Sequence, residues 1–311
     1  MTHKVKFLNR RNVLLLVLLA ALLRIAYIFT LEEKWYYFDT AHYDQAACAI
    51  VEGEGFGSSL HYYNEYDNYC LEPMYPMFLA GVYGIFGHSF LAVRLVQMLL
   101  SLLQLYFIYK IVLYLKPKAA PFALIFGAIY PFFIYTAGLL YVTQLFSLLL
   151  TLMVFWLLKY RKSGSIGWLS LAALALGAAI SARPVVLPAT VLIAGWIFFF
   201  AQMPWMKRIG HIAWTALLII LTLTPWTIRN WNVFGVISPG RACLAETRVF
   251  EDVRRQFAEQ DALNKPTFDA KVLRVELTRN NEDTLFTCYL DNKIISIIKP
   301  MEKLILPDPM H

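Results

Sequence analysis

The chain has 311 residues, 59% of them hydrophobic and only 16% charged, with a formal net charge of +7. Soluble domains carry about a quarter charged residues, so this composition excludes an ordinary water-soluble domain and indicates a polytopic membrane protein. The positive charge is not a nucleic-acid footprint, because the basic residues sit in short clusters between apolar runs.

The first apolar run follows Lys4, Lys6, Arg10 and Arg11 and continues to Phe29 without a small-x-small cleavage site. It is expected to remain as an uncleaved span. A span needs roughly 20 mostly apolar residues. By that measure spans are expected over residues 12–30, 90–115, 119–137, 139–158, 166–182, 185–201 and 212–227. The expected fold is an all-α bundle of about seven transmembrane helices. Residues 74–87 are too short to cross and suit an interfacial or re-entrant helix. Threading the spans in order puts four basic clusters on one side: the N-terminal one, Lys116 with Lys118, Lys159 with Arg161 and Lys162, and Lys207 with Arg208. That side is the cytoplasm by the positive-inside rule, with the loop 31–89 and the tail from Arg229 outside. The chain divides into a membrane module, 1–230, and an extracytoplasmic C-terminal segment, 231–311. Within that segment a helix is expected over 246–263, and residues 294–306, interrupted by Pro300 and Lys303, cannot span.

The first outer loop concentrates Asp39, His42, Asp44, Glu52 and Glu54 within residues 35–57. Ionisable groups beside hydrocarbon cost several kcal/mol unless solvated or paired, so such a cluster needs a reason. Asp39 is the candidate base, although an N-cap for the following helix is the common structural use of an aspartate there. Its ordinary pKa of about 3.9 is low for a base, so the site is expected to raise it or to use it to position an acceptor. Asp44 reads as a solvated helix face and is the reserve candidate. Asp39, His42 and Asp44 lack a second ligand cluster, so no metal and no cofactor is expected, a divalent cation being the alternative left open. Cys48, Cys70, Cys243 and Cys288 are too scattered for a disulfide framework or a metal motif. Arg24 and Arg94 near span ends suit snorkelling, in which the stem lies in lipid and the guanidinium reaches the headgroups. Arg183 and Arg229, each beside a helix-ending motif, suit a lipid phosphate held by paired hydrogen bonds. His88 reads as an interfacial side chain, and Trp35, Tyr36, Tyr37, Tyr62 and Tyr63 as an aromatic belt.

Several of these residues fall in an order that resembles the GT-C glycosyltransferases using polyprenyl-phosphate sugars. The similarity is to protein O-mannosyltransferase-like enzymes and the aminoarabinose transferases of lipid A, and it covers residues 10–240. It rests on Asp39 followed by Tyr43 and Ala46, on Gly53-Glu54-Gly55-Phe56, on Pro73 and Pro76, on Phe86-Gly87 and Arg94, on Arg183-Pro184, and on the Pro-Trp-x-x-Arg-Asn of 225–230. The resemblance implies inverting transfer of a sugar to a lipid, glycan or protein acceptor, in a bacterial plasma membrane. Asp39 would then act as base, and Tyr43, Arg94, Arg183, Arg229 and Asn230 would bind substrate. The chain departs from the pattern at Thr40, where a second acid is common, at Glu72, where a basic residue is common, and at Gln144, where a Glu is common. The alternative is a non-catalytic membrane protein, either a transporter or lipid-binding protein or a GT-C-like partner subunit. A transporter is disfavoured because the charges gather at one surface rather than at the bilayer midplane.

Overall fold

The computed structural model of the chain describes residues 10–34, 38–56, 71–234 and 237–240, and three strands near the C-terminus. The helix expected over 246–263 lies outside the described residues. The chain forms two compact units, the first built on Met1–Phe56 and Cys70–Ala242. In that unit the helices are α1 (Arg10–Ile28), α2 (Phe38–Val51), α3 (Met74–Phe86), α4 (Phe90–Leu115), α5 (Ala120–Ile129), α6 (Pro131–Gly138), α7 (Thr143–Ser163), α8 (Ile166–Ala182), α9 (Ala189–Phe200) and α10 (Trp205–Phe234).

Each of the seven expected spans is occupied by helix. Four of the helices, α1, α4, α7 and α10, are long and apolar enough to cross a membrane alone. The third expected span is instead a pair, α5 and α6, bent by 48°. The segments Ile166–Ala182 and Pro184–Phe200 are shorter apolar helices. The protein is therefore an integral multi-pass membrane protein with an all-α membrane unit. Large apolar side chains such as Leu14, Leu22, Phe122, Leu192, Phe199 and Ile220 are exposed on its outside, as a lipid-facing surface requires. The helix α3, expected to lie at the interface, packs on α2 and α4 through Tyr75, Leu79, Val82 and Tyr83.

The central helix is α4, which touches α1, α3, α5, α6 and α7. Ser89 starts it as an N-cap, its hydroxyl accepting from the Ala92 N–H at 3.3 Å. The α5–α6 break follows from Pro131. That residue offers no N–H to the Gly127 carbonyl, and Tyr130 before it is pushed to extended backbone, φ −65° and ψ 117°. Carbonyls freed inside a bilayer must find donors. Arg24 supplies them: its Nη2 donates to the Gly127 carbonyl and its Nη1 to that of Ala128, both at 3.3 Å, while Nε donates to Ser101 Oγ at 2.9 Å. Arg24 is fully buried, so it does not snorkel, contrary to the simplest expectation.

The neighbouring helix α8 carries small residues, Ala172, Ala173, Ala175, Gly177 and Ala179, on its buried faces. A Cβ on Gly177 would lie 2.7 Å from Cβ of Thr222, so α8 and α10 meet almost backbone to backbone there. The second unit holds an antiparallel meander of β1 (Arg274–Asn280), β2 (Asp283–Leu290) and β3 (Lys293–Ile297). Its register pairs Val275 with Cys288 and Phe286 with Ile297. Residues 294–297, expected only as the start of a segment that cannot span, thus belong to a strand.

Candidate functional site

At one end of the membrane unit the ends of α2, α8 and α10 and the turn before α7 converge. Two glycines make the first connection. Gly53 ends α2 at φ 82°, with the Glu54 N–H donating to the Ala49 carbonyl at 3.0 Å and the Gly53 N–H to that of Ile50 at 3.2 Å. This is the bond pattern of a Schellman cap, which needs a residue that accepts the left-handed conformation. Gly55, at φ 81°, turns the chain again. Phe56 then lands edge-on against Trp226, with ring centroids 4.7 Å apart.

Arg229, on the last turns of α10, grips that landing point. Its Nη2 donates to the Phe56 carbonyl at 3.2 Å and its Nη1 to Asn230 Oδ1 at 3.1 Å, and its guanidinium lies 4.6 Å from the Trp226 ring centre. Asn230 is fully buried and donates through Nδ2 to the carbonyls of Ser238 and Gly240 at 2.9 and 3.0 Å. Trp226 Nε1 also donates to the Gly240 carbonyl, at 3.0 Å. A Cβ on Gly240 would collide with the Pro184 ring, so the loop after α10 lies directly on the Arg183-Pro184 corner. The three motifs at 53–56, 183–184 and 225–230 are therefore one structure.

A second chain of contacts runs from α2 to that corner. Tyr43 is buried, with its ring edge-on to Tyr75 at 5.1 Å and to Tyr141 at 6.0 Å. Arg183 stands over the other partner ring, its guanidinium 5.3 Å from the Tyr141 centre. Its side chain is half-buried and meets no carboxylate or carbonyl among the described residues. Thr40, in place of the second acid of the family pattern, donates to the Leu140 carbonyl at 3.1 Å and ties α2 to the turn that carries Tyr141. Tyr141 was not singled out in the sequence. Its signal was only its place in the turn just before α7.

The other expected residues separate into places. Asp39 lies in the first turn of α2, and its side chain is outside the described residues, as are Trp35, Tyr36, Tyr37, Tyr62 and Tyr63. Asp44, expected on a solvated face, is instead buried: its Oδ1 accepts from the Tyr83 hydroxyl and lies 2.9 Å from His88 Nε2. Burial first, and then the Asp44 charge, hold the Tyr83 hydroxyl far above the usual phenol range. Burial pushes the nearby Cys48 thiol up to about 11, helped by Asp44 and Glu52. His42 is buried on α2. Glu72 is half-buried ahead of Pro73 and α3. Arg94 is buried and donates to the carbonyls of Leu31 and Glu32, the latter at 2.7 Å, which ties down the chain after α1. Gln144 is fully buried in an uncharged cluster, with Nε2 donating to Gln104 at 2.9 Å and Oε1 accepting from Thr136 at 3.1 Å.

Residues 72–228, half of the sequence, match the family of dolichyl-phosphate-mannose-protein mannosyltransferases. The chain belongs to that family. It is a membrane glycosyltransferase of the mannosyltransferase type. Arg94, Gln144, Arg183 and Glu72 fall inside the matched residues, whereas Asp39, Tyr43, Asp44, Arg229 and Asn230 lie beyond them. Among curated proteins none is similar in sequence.

Proposed function

We propose that the chain transfers a sugar from a polyprenyl-phosphate donor to a hydroxyl of a lipid, glycan or protein acceptor, on the extracytoplasmic face and with inversion. The residues 1–230 form the reacting module, with the N-terminus cytoplasmic because the four basic clusters then face inward. The observation that carries this reading is Arg183, stacked on Tyr141 with its guanidinium donors uncommitted among the described residues, at the corner where Arg229 holds the first outer loop. A phosphate oxygen there would receive the paired N–H bonds that guanidinium geometry favours.

In a single displacement, the acceptor O–H gives its proton to the Asp39 carboxylate as its oxygen bonds to the anomeric carbon. The bond from that carbon to the phosphate oxygen breaks, and the departing lipid phosphate keeps the electron pair beside Arg183. Arg229 shapes the site through Phe56, Asn230 fixes the returning loop, and Tyr43 supports Tyr141. Arg94 acts through the backbone it holds. The reading as a non-catalytic partner subunit draws on Gln144, a neutral amide where relatives commonly carry an acid.

The experiment is to incubate purified protein with a radiolabelled polyprenyl-phosphate sugar and membrane extract. Label should leave the lipid for an acceptor; label that stays on the lipid favours the partner-subunit reading. Asp39→Asn keeps size and helix-capping ability while removing the basic oxygen. It should insert normally, bind donor and lose about a hundredfold or more in rate, the scale of a positioned base. Full activity in Asp39→Asn would move the search for the base to Asp44.

A further inference from the structure

Asp44 and Cys48 are one helical turn apart on α2, so their side chains leave the same face. His88 follows Gly87, whose φ of 74° ends α3 and turns the chain toward α4. One carboxylate oxygen of Asp44, the Cys48 sulfur and one ring nitrogen of His88 all lie within 4.8 Å of one another. Zinc bonds of about 2.0–2.3 Å put tetrahedral ligand atoms about 3.3–3.7 Å apart. Side-chain movements of about 1 Å would therefore close the three onto one centre.

We infer that Asp44, Cys48 and His88 form a three-ligand site for a divalent cation of the zinc class. The donor set selects the ion: a thiolate and an imidazole suit zinc and its neighbours, whereas magnesium and calcium take oxygen ligands. The charge also balances, since one thiolate and one carboxylate neutralise a dication in a place where Asp44 is only 3% exposed. On binding, the Cys48 thiol gives its proton to solvent and the His88 nitrogen exchanges its hydrogen bond to Asp44 for the metal. The Tyr83 hydroxyl, already on Asp44 Oδ1, remains as the outer hydrogen bond that orients a ligating carboxylate. Access comes from the His88 side, whose side chain is 51% exposed, and water completes the fourth position. The bound ion would clip α2, the helix that carries Asp39, to the α3–α4 corner.

The test is cobalt(II) titration of the full-length protein, reduced and in detergent. It is read by the thiolate-to-cobalt charge-transfer absorption and the ligand-field bands of a four-coordinate ion. One equivalent should bind, and zinc(II) should displace it while magnesium(II) and calcium(II) do not. Cys48→Ser should abolish the charge-transfer band. His88→Gln, at an exposed position, should keep the helical circular dichroism and weaken binding by about tenfold or more. A titration without the band would overturn the assignment. So would a band that survives Cys48→Ser, which would place the metal on another cysteine, or an affinity unchanged in His88→Gln.

Discussion

At the α5–α6 break an arginine is consumed by the fold, whereas at the Arg183-Pro184 corner an arginine is left standing on a ring. A guanidinium offers five N–H donors. Arg24 directs its own at Ser101 and at the carbonyls of Ala20, Gly127 and Ala128, and it is fully buried. Arg183 caps α8 with its backbone N–H, 2.8 Å from the Ala179 carbonyl, and leaves its side chain to Tyr141. Both residues interrupt apolar sequence, so hydropathy treats them alike. Their roles separate only by the acceptors within reach: carbonyls freed by a proline in one case, and a half-open aromatic surface in the other.

The largest expected effect of breaking that contrast is on Arg24. Arg24→Leu leaves the Gly127 and Ala128 carbonyls and the Ser101 hydroxyl buried without this donor, at about 1–3 kcal/mol each. The loss should total at least about 3 kcal/mol and appear as a large fall in the thermal unfolding midpoint in detergent. Wild-type stability in that variant would erase the distinction. Arg183→Gln should instead fold as the wild type and bind the polyprenyl-phosphate donor about tenfold more weakly, with Arg183→Lys restoring only part, because an ammonium lacks the planar fork. Equilibrium binding with labelled donor reads this, and unchanged affinity would shift the phosphate to Arg229.

Ser101→Ala is the finer probe of the Arg24 clamp, since it removes one acceptor and leaves the carbonyl bonds. A cost of about 1 kcal/mol is expected in the same unfolding assay. The smallest effect lies at Cys48, which reports how dry the α2 face is. Its thiol is raised from 9.0 to about 11, so the unfolded thiol ionises first as pH rises. The stability held by keeping it neutral is present below about 9 and is lost as pH climbs through about 11. In metal-free protein its alkylation, followed by peptide mass mapping, should be slow near neutral pH and accelerate only as that range is approached.

Much of this was legible in the sequence where the signal is local. Spans follow from runs of apolar residues, and Gly53 and Gly55 announce the turns they make. Even the α5–α6 break was written in Tyr130-Pro131, although a window that averages hydropathy passes over a single proline. What could not be read was partnership across the chain. Arg24 meets acceptors 103 and 104 residues away, and Asp44 meets His88 at a separation of 44. Asp44 therefore looked like a solvated helix face, and Arg24 like a snorkelling side chain. The meander at 274–297 was missed for a related reason: its strands are short, and their pairing across the chain defines them.

The Gly177–Thr222 contact has a bearing on traffic through the bilayer. Where two helices touch with only the Thr222 side chain between them, a branched isoprenoid tail has no room to wedge in. On the proposed reading, a lipid-borne sugar would then reach the Arg183 corner from some other side of the bundle. A bulky residue at 177 would force that seam apart, and lipid would have a second doorway where the native protein has a wall.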